Sequence, residues 1–550
     1  MSPSRSASFS LVAAGITRAR GPQVILGGVD LGVAPRSRVG VVGPNGVGKS
    51  TLLRILAGVE HPDSGAVQRR PSQLRVAYLA QEHQEDAETV GAMLARRSGV
   101  AEITAALEAA SAALASGRPG ADESYPLALD AYLAAGCADF DSRVAIALDE
   151  VGLPGDLVDA RVGALSGGQL ARAALAAVLL VRAEVVLLDE PTNDLDFEGL
   201  ELLERFLVSR PGGMVVVSHD RAFLGRTVTS VLDLDEHTHQ GTVYDGGWDS
   251  YLEARAIARR HAEEEYATYR GERTRLRQRS QRQREWATKG STRAKNDGDE
   301  RDKFIRHFKV ASSERLAAKA RATDRALERL PQVDKPWEGW ELHFDIASVP
   351  RSGTIAMRLT DAVVERGRFR IGPTTVEVHW SDRVALVGPN GSGKTTLLQT
   401  LLGRVPLTGG TRWIGPSVIV GELEQDRRRL TGPATLLELV RTPVGVNVAE
   451  VRSQLAKFGL GPEHLTRPAT TLSPGERTSA VLAEFALQGV NCLILDEPSN
   501  HLDLPAIEEL EDSLQRYPGT LVLVTHDRAL LDHVRTTRTL HLHDGILDEA

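Results

Sequence analysis

At 550 residues, with 42% hydrophobic and 25% charged side chains, the chain has the composition of a globular protein and the length of two or three domains, which excludes wholesale disorder. The formal charge of −8 says little about partners until it is split by region, and the two cysteines, Cys137 and Cys492, are too few for a disulfide framework or a metal cluster and fit a reducing, cytoplasmic setting. No apolar run approaches the roughly 20 residues of a membrane helix, and the N-terminal MSPSRSASFSLVAAG lacks the hydrophobic core and cleavage site of a signal peptide.

The first chemical motif follows a strand-like VGVV. Residues 43–51 read GPNGVGKST (Gly43, Pro44, Asn45, Gly46, Val47, Gly48, Lys49, Ser50, Thr51), and TLLRILAG then reads as helix. Strand, glycine-rich loop and helix in that order make a phosphate-binding loop. Backbone amides and the helix N-terminus face the phosphates, Lys49 neutralises charge, and Ser50 offers a hydroxyl to magnesium.

Gln81 follows in a strand-like YLAQE. Residues 93–149 are rich in alanine and leucine with acids interspersed, the pattern of a helical hairpin. After LSGGQ at residues 165–169 comes VVLLDEPTNDLD, whose apolar run is that of a strand buried on both faces and ends in Asp189 and Glu190. A second apolar run, VVVSHD, ends in His219. Asp189 is assigned to magnesium, Glu190 to polarising or positioning the attacking water, and His219 to the terminal phosphate, since positioning and electrostatics supply most of the catalysis in phosphoryl transfer.

Residues 251–330 carry 22 Lys and Arg against 13 Asp and Glu, a net of +9 inside an acidic chain, peaking in RGERTRLRQRSQRQR at 270–284. Residues 251–286 lack proline and hold one glycine, Gly271. They predict one helix of about 36 residues, roughly 50 Å long, with a second helix over 311–330 and a loop over 287–309 at the tip of a projecting hairpin. Trp286, Phe304, Ile305 and Phe308 stand at that tip. Basic groups meet phosphates, and aromatics stack on bases or pack against a small ligand's site, so contact with nucleic acid is expected rather than a merely solvated connector.

The motif set is then written a second time. Residues 388–396 read GPNGSGKTT (Gly388, Pro389, Asn390, Gly391, Ser392, Gly393, Lys394, Thr395, Thr396), 345 residues after the first copy. Gln425 follows in GELEQ, then LSPGE at 472–476, Asp496 and Glu497 in CLILDEPSNHLD, and His526 in VLVTHD. From signature serine to second acid is 24 residues in both copies, and from that acid to the histidine 29 in both; from loop lysine to signature serine it is 117 in the first and 79 in the second. The first copy therefore carries the insertion. The predicted fold is α/β: two tandem phosphate-loop cassette domains, residues 1–247 (insertion about 93–149) and 336–550, joined by a long basic α-helical hairpin linker over 248–335.

These motifs resemble the ATP-binding cassette superfamily over nearly the whole chain outside the linker. The resemblance implies that each ATP, with Mg2+, is sandwiched between the phosphate loop of one cassette and the signature of the other. One site would then join Lys49, Ser50, Gln81, Asp189, Glu190 and His219 to Ser473, Gly475 and Glu476. The other would join Lys394, Thr395, Gln425, Asp496, Glu497 and His526 to Ser166, Gly168 and Gln169, with the glutamines acting beside the metal in both. With both cassettes on one chain, closure is intramolecular and a monomer suffices, bound nucleotide favouring the closed state. Pro474 replaces the first signature glycine, fixing φ near −65° and removing an N–H, so the site using that signature is expected to be slower. No aromatic lies between Phe9 and the first phosphate loop, whereas Phe369 is a candidate for stacking on adenine in the second cassette.

Tandem cassettes, a charged helical linker and the acidic motifs LDEPTNDLD and LDEPSNHLD resemble the F subfamily, although Asp194 stands where histidine is usual. The resemblance implies ribosome binding, with the linker near the exit-site and P-site tRNAs, in antibiotic-resistance ribosomal protection or in regulation of translation. The alternative is the ATPase subunit of a drug exporter whose transmembrane partners are separate chains, which gives the basic linker no task.

Overall fold

The computed structural model describes residues 9–80, 87–193, 195–296, 303–331, 351–366, 369–423, 434–472, 474–500 and 502–549. The chain divides into two units, one holding Met1–Tyr251 with Trp340–Ala550 and the other Leu252–Gly339. Both cassettes lie in the first unit.

Each cassette is built on a six-stranded sheet. In the first the order from edge to edge is Val76–Leu79, Val185–Asp189, Gly213–Val217, Arg38–Val42, Ser230–Leu234 and Gly241–Asp245; all neighbours are parallel except the last pair. The second repeats it with Val420–Leu423, Cys492–Asp496, Thr520–Val524, Arg383–Val387, Arg538–His543 and Ile546–Glu549. A three-stranded antiparallel sheet accompanies each, with Ser10–Arg20 and Ile355–Arg366 as its central strands.

The continuously apolar runs are explained by cover on both faces. In Val185–Asp189 the side chains alternate between two cores: Val186 and Leu188 pack with the helices, Val185 and Leu187 with the antiparallel sheet side. Cys492–Asp496 does the same, Leu493 and Leu495 against Cys492 and Ile494. Each such side chain contributes about 1.5–3 kcal/mol by burial, so a strand open to water on one face would alternate instead of reading VVLL or CLIL. The phosphate-loop strand sits between the strand that ends near the histidine and a strand on its other side, and the carboxyl ends of such strands are where open α/β sheets bind ligands.

The alanine-rich stretch of the first cassette forms two helices packed side by side, Val100–Ala115 and Ala121–Ala135. The linker unit holds, from Leu252 on, the helix Gly247–Asn296, 50 residues in all, and then Lys303–Glu328, 26 residues. Both extend into the segment expected as a loop. Gly290 does not end the first helix because one glycine costs only about 1 kcal/mol amid helix-forming Ala, Lys and Arg. Asp324 ties the two together, accepting from Ser280 Oγ at 2.5 Å and from Arg284 at 2.6 Å, while Thr323 donates to Gln283 at 3.0 Å. Trp286 is exposed. Among the described residues no helix is long and apolar enough to cross a membrane.

Candidate functional site

The two phosphate loops are built alike. The strand Arg38–Val42 leads through the loop into the helix Lys49–Ala57, and Arg383–Val387 leads into Lys394–Leu401. The residue before each helix, Gly48 or Gly393, has φ of 111° or 101°, and an added Cβ would lie 2.7 Å from Ile25 or 2.5 Å from the Phe369 ring. Only glycine fits there. Lys49 Nζ donates to the carbonyls of Gly43 and Pro44 at 2.7 and 3.0 Å, and Lys394 Nζ to those of Gly388 and Pro389 at 2.8 and 3.0 Å. Burial lowers both ammonium pKa values, opposed in each case by the carboxylates nearby, Glu190 first for Lys49 and Glu497 first for Lys394.

Beside each lysine the structure places a hydroxyl on a carboxylate. Ser50 Oγ donates to Asp189 at 3.1 Å and Thr395 Oγ1 to Asp496 at 2.8 Å. Hard oxygen donors of this kind suit magnesium, which is held by one or two carboxylates together with substrate phosphates and water. Tyr78, which the motifs did not flag, adds a hydroxyl to Asp189 at 3.2 Å.

Glu190 and Glu497 occupy the left-handed region, with φ of 51° and 49°. For a non-glycine residue that is strain, and strain concentrates where function fixes the backbone. Each N–H donates to the strand that ends at the histidine, to Val217 O and Val524 O at 2.9 Å. His219 Nε2 lies 3.2 Å from Glu190 Oε1, and His526 Nε2 lies 3.5 Å from Glu497 Oε1. Burial pushes the Glu190 carboxyl up to about 7, while burial and then Lys49 press His219 down to about 3. Burial and Lys394 hold His526 at about 4. Both imidazoles are therefore neutral near pH 7. Glu190 Oε2 is buried without a hydrogen-bond partner among the described residues. It lines a 1610 Å³ cleft that also takes in Lys49, Lys394, Glu497 and both histidines.

The cassettes meet at this cleft. Asp503 caps the helix Leu504–Arg516 and accepts from Asn45 N of the first phosphate loop at 3.0 Å. Asp196 caps Phe197–Ser209 and accepts from Asn390 N of the second at 2.9 Å. Burial alone would raise the Asp196 carboxyl, but the amides of Asn390 and Gly199 together with Arg172 outweigh it and hold the pKa below its ordinary value. The sequence marks both aspartates as helix caps, being acids just before apolar helical runs; their partners in the opposite cassette have no local signal.

The first signature also reaches across. Ser166 caps the helix Gly167–Leu180 in a capping box with Gln169, the S-x-x-Q pattern, so both side chains are engaged at the helix start. Gly168 lies against the second phosphate loop, where an added Cβ would be 2.6 Å from Asn390 Cβ. In the second signature, Glu476 is paired with His464 at 3.0 Å and Arg467 at 3.5 Å in its own cassette. Gln81, Gln425, Ser473 and Asp194 lie outside the described residues. Phe369 lines the cleft beside Gly393, and Ile25 takes the corresponding place beside Gly48.

A family model described as ABC transporter matches residues 26–193 and 372–500. The chain is 34% identical over 579 residues to the tylosin resistance ATP-binding protein TlrC of Streptomyces fradiae, covering 99% of each chain. It is 30% identical over 545 residues to the energy-dependent translational throttle protein EttA of Mycobacterium tuberculosis, covering 95% of this chain and 89% of that one. Among solved structures it resembles the RNase-L inhibitor, with a TM-score of 0.58 at 18% identity over 97% of this chain and 90% of the other. It also resembles an archaeal ribosome recycling factor, aABCE1, solved with a ribosomal stalk protein, with a TM-score of 0.58 at 19% identity over 97% and 89%. At such identities the likeness is one of fold.

Proposed function

The chain belongs to the F subfamily of the ATP-binding cassette family, whose cassettes bind and hydrolyse ATP, and from that premise we propose that it is a ribosome-acting ATPase that closes on two shared ATP sites. The observation that carries the shared sites is the double crossing at the phosphate loops, Asp503 on Asn45 and Asp196 on Asn390, with Gly168 against the same Asn390. Contacts made only when the halves meet are what lets a ligand favour the closed state.

In each site the lysine, Lys49 or Lys394, leaves the loop carbonyls for the phosphates, and the glycine-rich loop directs its amides at them. Ser50 with Asp189, and Thr395 with Asp496, would hold magnesium, which when bound neutralises charge on the transferring phosphoryl group. Gln81 and Gln425 would stand beside that metal, and Ser473, Gly475 and Glu476 would complete the first site as Ser166, Gly168 and Gln169 complete the second. Glu190 and Glu497 position the attacking water, for which the buried Glu190 Oε2, without a hydrogen-bond partner among the described residues, is an available acceptor. His219 and His526, neutral and adjacent to those carboxyls, donate to the terminal phosphate.

The domains are taken as residues 1–247, 248–335 and 336–550. The net charge of +9 over residues 251–330 supports the linker as the part that meets RNA, near the exit-site and P-site tRNAs. The names of the relatives, one for tylosin resistance and one for a translational throttle, support ribosomal protection against antibiotics or control of translation by a cytoplasmic, monomeric protein. The test is sedimentation: Glu190→Gln with Glu497→Gln, given ATP, is expected to travel with ribosomes, and a variant that binds ATP yet stays at the top of the gradient overturns the ribosome reading.

A further inference from the structure

The helix that follows each double acid has two holds on the opposite cassette, the first through its capping aspartate. Eight residues beyond Asp503 and Asp196, two turns along the same helices, stand Glu511 and Glu204. Their side chains are only 2% and 12% exposed. Each receives an arginine from the other cassette. Arg221 pairs with Glu511, and Arg528 pairs with Glu204 at 3.4 Å and with Glu201 at 3.0 Å. The Arg528 guanidinium also lies over the Phe197 ring, 5.5 Å from its centroid.

The arginines occupy equivalent places. Arg221 begins the helix Arg221–Thr227, capped by Asp220, two residues after His219; Arg528 begins Arg528–Val534, capped by Asp527, two residues after His526. A carboxylate taken out of water is costly unless it is paired. Facing Glu511 among the described residues are the Arg221 guanidinium and, from its own cassette, the His533 ring at 3.8 Å. Glu204 keeps Arg226 of its own cassette at 3.2 Å besides Arg528. Both pairings across the cleft exist only while the cassettes are together.

We propose that Arg221 with Glu511, and Arg528 with Glu204 and Glu201, are crosswise latches that position each histidine segment from the opposite cassette and so couple the two ATP sites. The inference rests on the closing-clamp reading above. The helix Leu504–Arg516 starts seven residues after Glu497, which acts at the second site; it holds Asn45 of the first site through Asp503 and the segment bearing His219 through Glu511. A displacement at Glu497 therefore reaches both the phosphate loop and the histidine of the first site along one rigid element. The helix Phe197–Ser209 carries the reverse message from Glu190 to Asn390 and His526. The arginines are positioning residues and touch no reacting atom.

The test uses the full chain carrying Glu190→Gln and Glu497→Gln, with a donor and an acceptor dye on the two cassettes, titrated with ATP. Closure of this parent is expected, and Arg221→Glu or Glu511→Arg alone is expected to raise the ATP needed by about ten-fold, equivalent to ~1.4 kcal/mol. Combining Arg221→Glu with Glu511→Arg restores the pair in reverse and is expected to recover closure, which lost packing would not. That exchange is chosen because Glu204→Arg would face Arg226. Arg221→Lys keeps the charge without the planar fork and is expected to fall between. If the parent closes and the single variants close at the same ATP, or the exchange fails to recover, the latch is overturned while the clamp stands. A parent that does not close overturns both.

Discussion

At the first ATP site Tyr78 donates to Asp189 at 3.2 Å; in the same strand position of the second site stands Glu422, which binds Gln399 at 2.8 Å and Arg404 and leaves Asp496 to Thr395. The histidines differ as well. His526 is packed edge-on by Phe197 from the first cassette, ring centroids 5.2 Å apart, whereas the residue after the other cap, Leu504, joins the aliphatic core of the first cassette. Beside the phosphate-loop glycine the second cassette presents the Phe369 ring with Ile371, and the first the aliphatic Ile25 and Leu26. The motif residues are duplicated, while these particular neighbours are not.

The strongest way to break that comparison is to silence one site at a time. Glu190→Gln and Glu497→Gln should each remove their own site's phosphate release by roughly 100-fold or more, the scale of losing one preorganised group. The rate left in Glu497→Gln is expected to be the lower, because the surviving first site is served by LSPGE, where Pro474 lacks an amide; equal residual rates would erase the inequality.

Glu190→Gln has a second, opposite effect on the nucleotide-free protein. The native carboxyl is raised from 4.5 to about 7, so the folded state binds a proton more tightly than the unfolded one. Stability then falls as pH rises from about 4.5 through about 7, and the penalty is fully present above that. Glutamine removes it. Differential scanning calorimetry should find the variant melting about 2–4 °C higher than the parent at pH 8, with the gap closing near pH 4.5.

Tyr78→Phe sharpens the comparison at the metal carboxylate. Loss of one hydrogen bond, about 0.5–1.5 kcal/mol, should raise the magnesium needed for hydrolysis by a few-fold when the second site is silenced by Glu497→Gln, and leave it unchanged when the first is silenced by Glu190→Gln. Phe197→Leu should have the smallest effect. It makes the second site's histidine packing resemble the first and forfeits about 0.5–1.5 kcal/mol of ring contact, seen as a weaker dependence of rate on ATP in the Glu190→Gln background only.

The sequence by itself determined the cassettes, the phosphate loops, the double acids and the histidines, because each depends on short-range order: a strand, then a glycine-rich turn, then a helix, and apolar runs whose length records burial on both faces. It also determined that the linker is helical and basic, though not where its helices end, since Gly290 alone is too weak a breaker to stop one. Tertiary structure decided everything that depends on residues far apart meeting. Asp196 and Asp503 are legible as helix caps, yet that they hold Asn390 and Asn45 across 194 and 458 residues of chain follows only from how the cassettes pack. Arg221 and Arg528 read as ordinary charged residues after a histidine until Glu511 and Glu204 are found facing them. The left-handed backbone at Glu190 and Glu497 is likewise invisible in DEP, because a local preference for glycine is overruled there by the strands on either side.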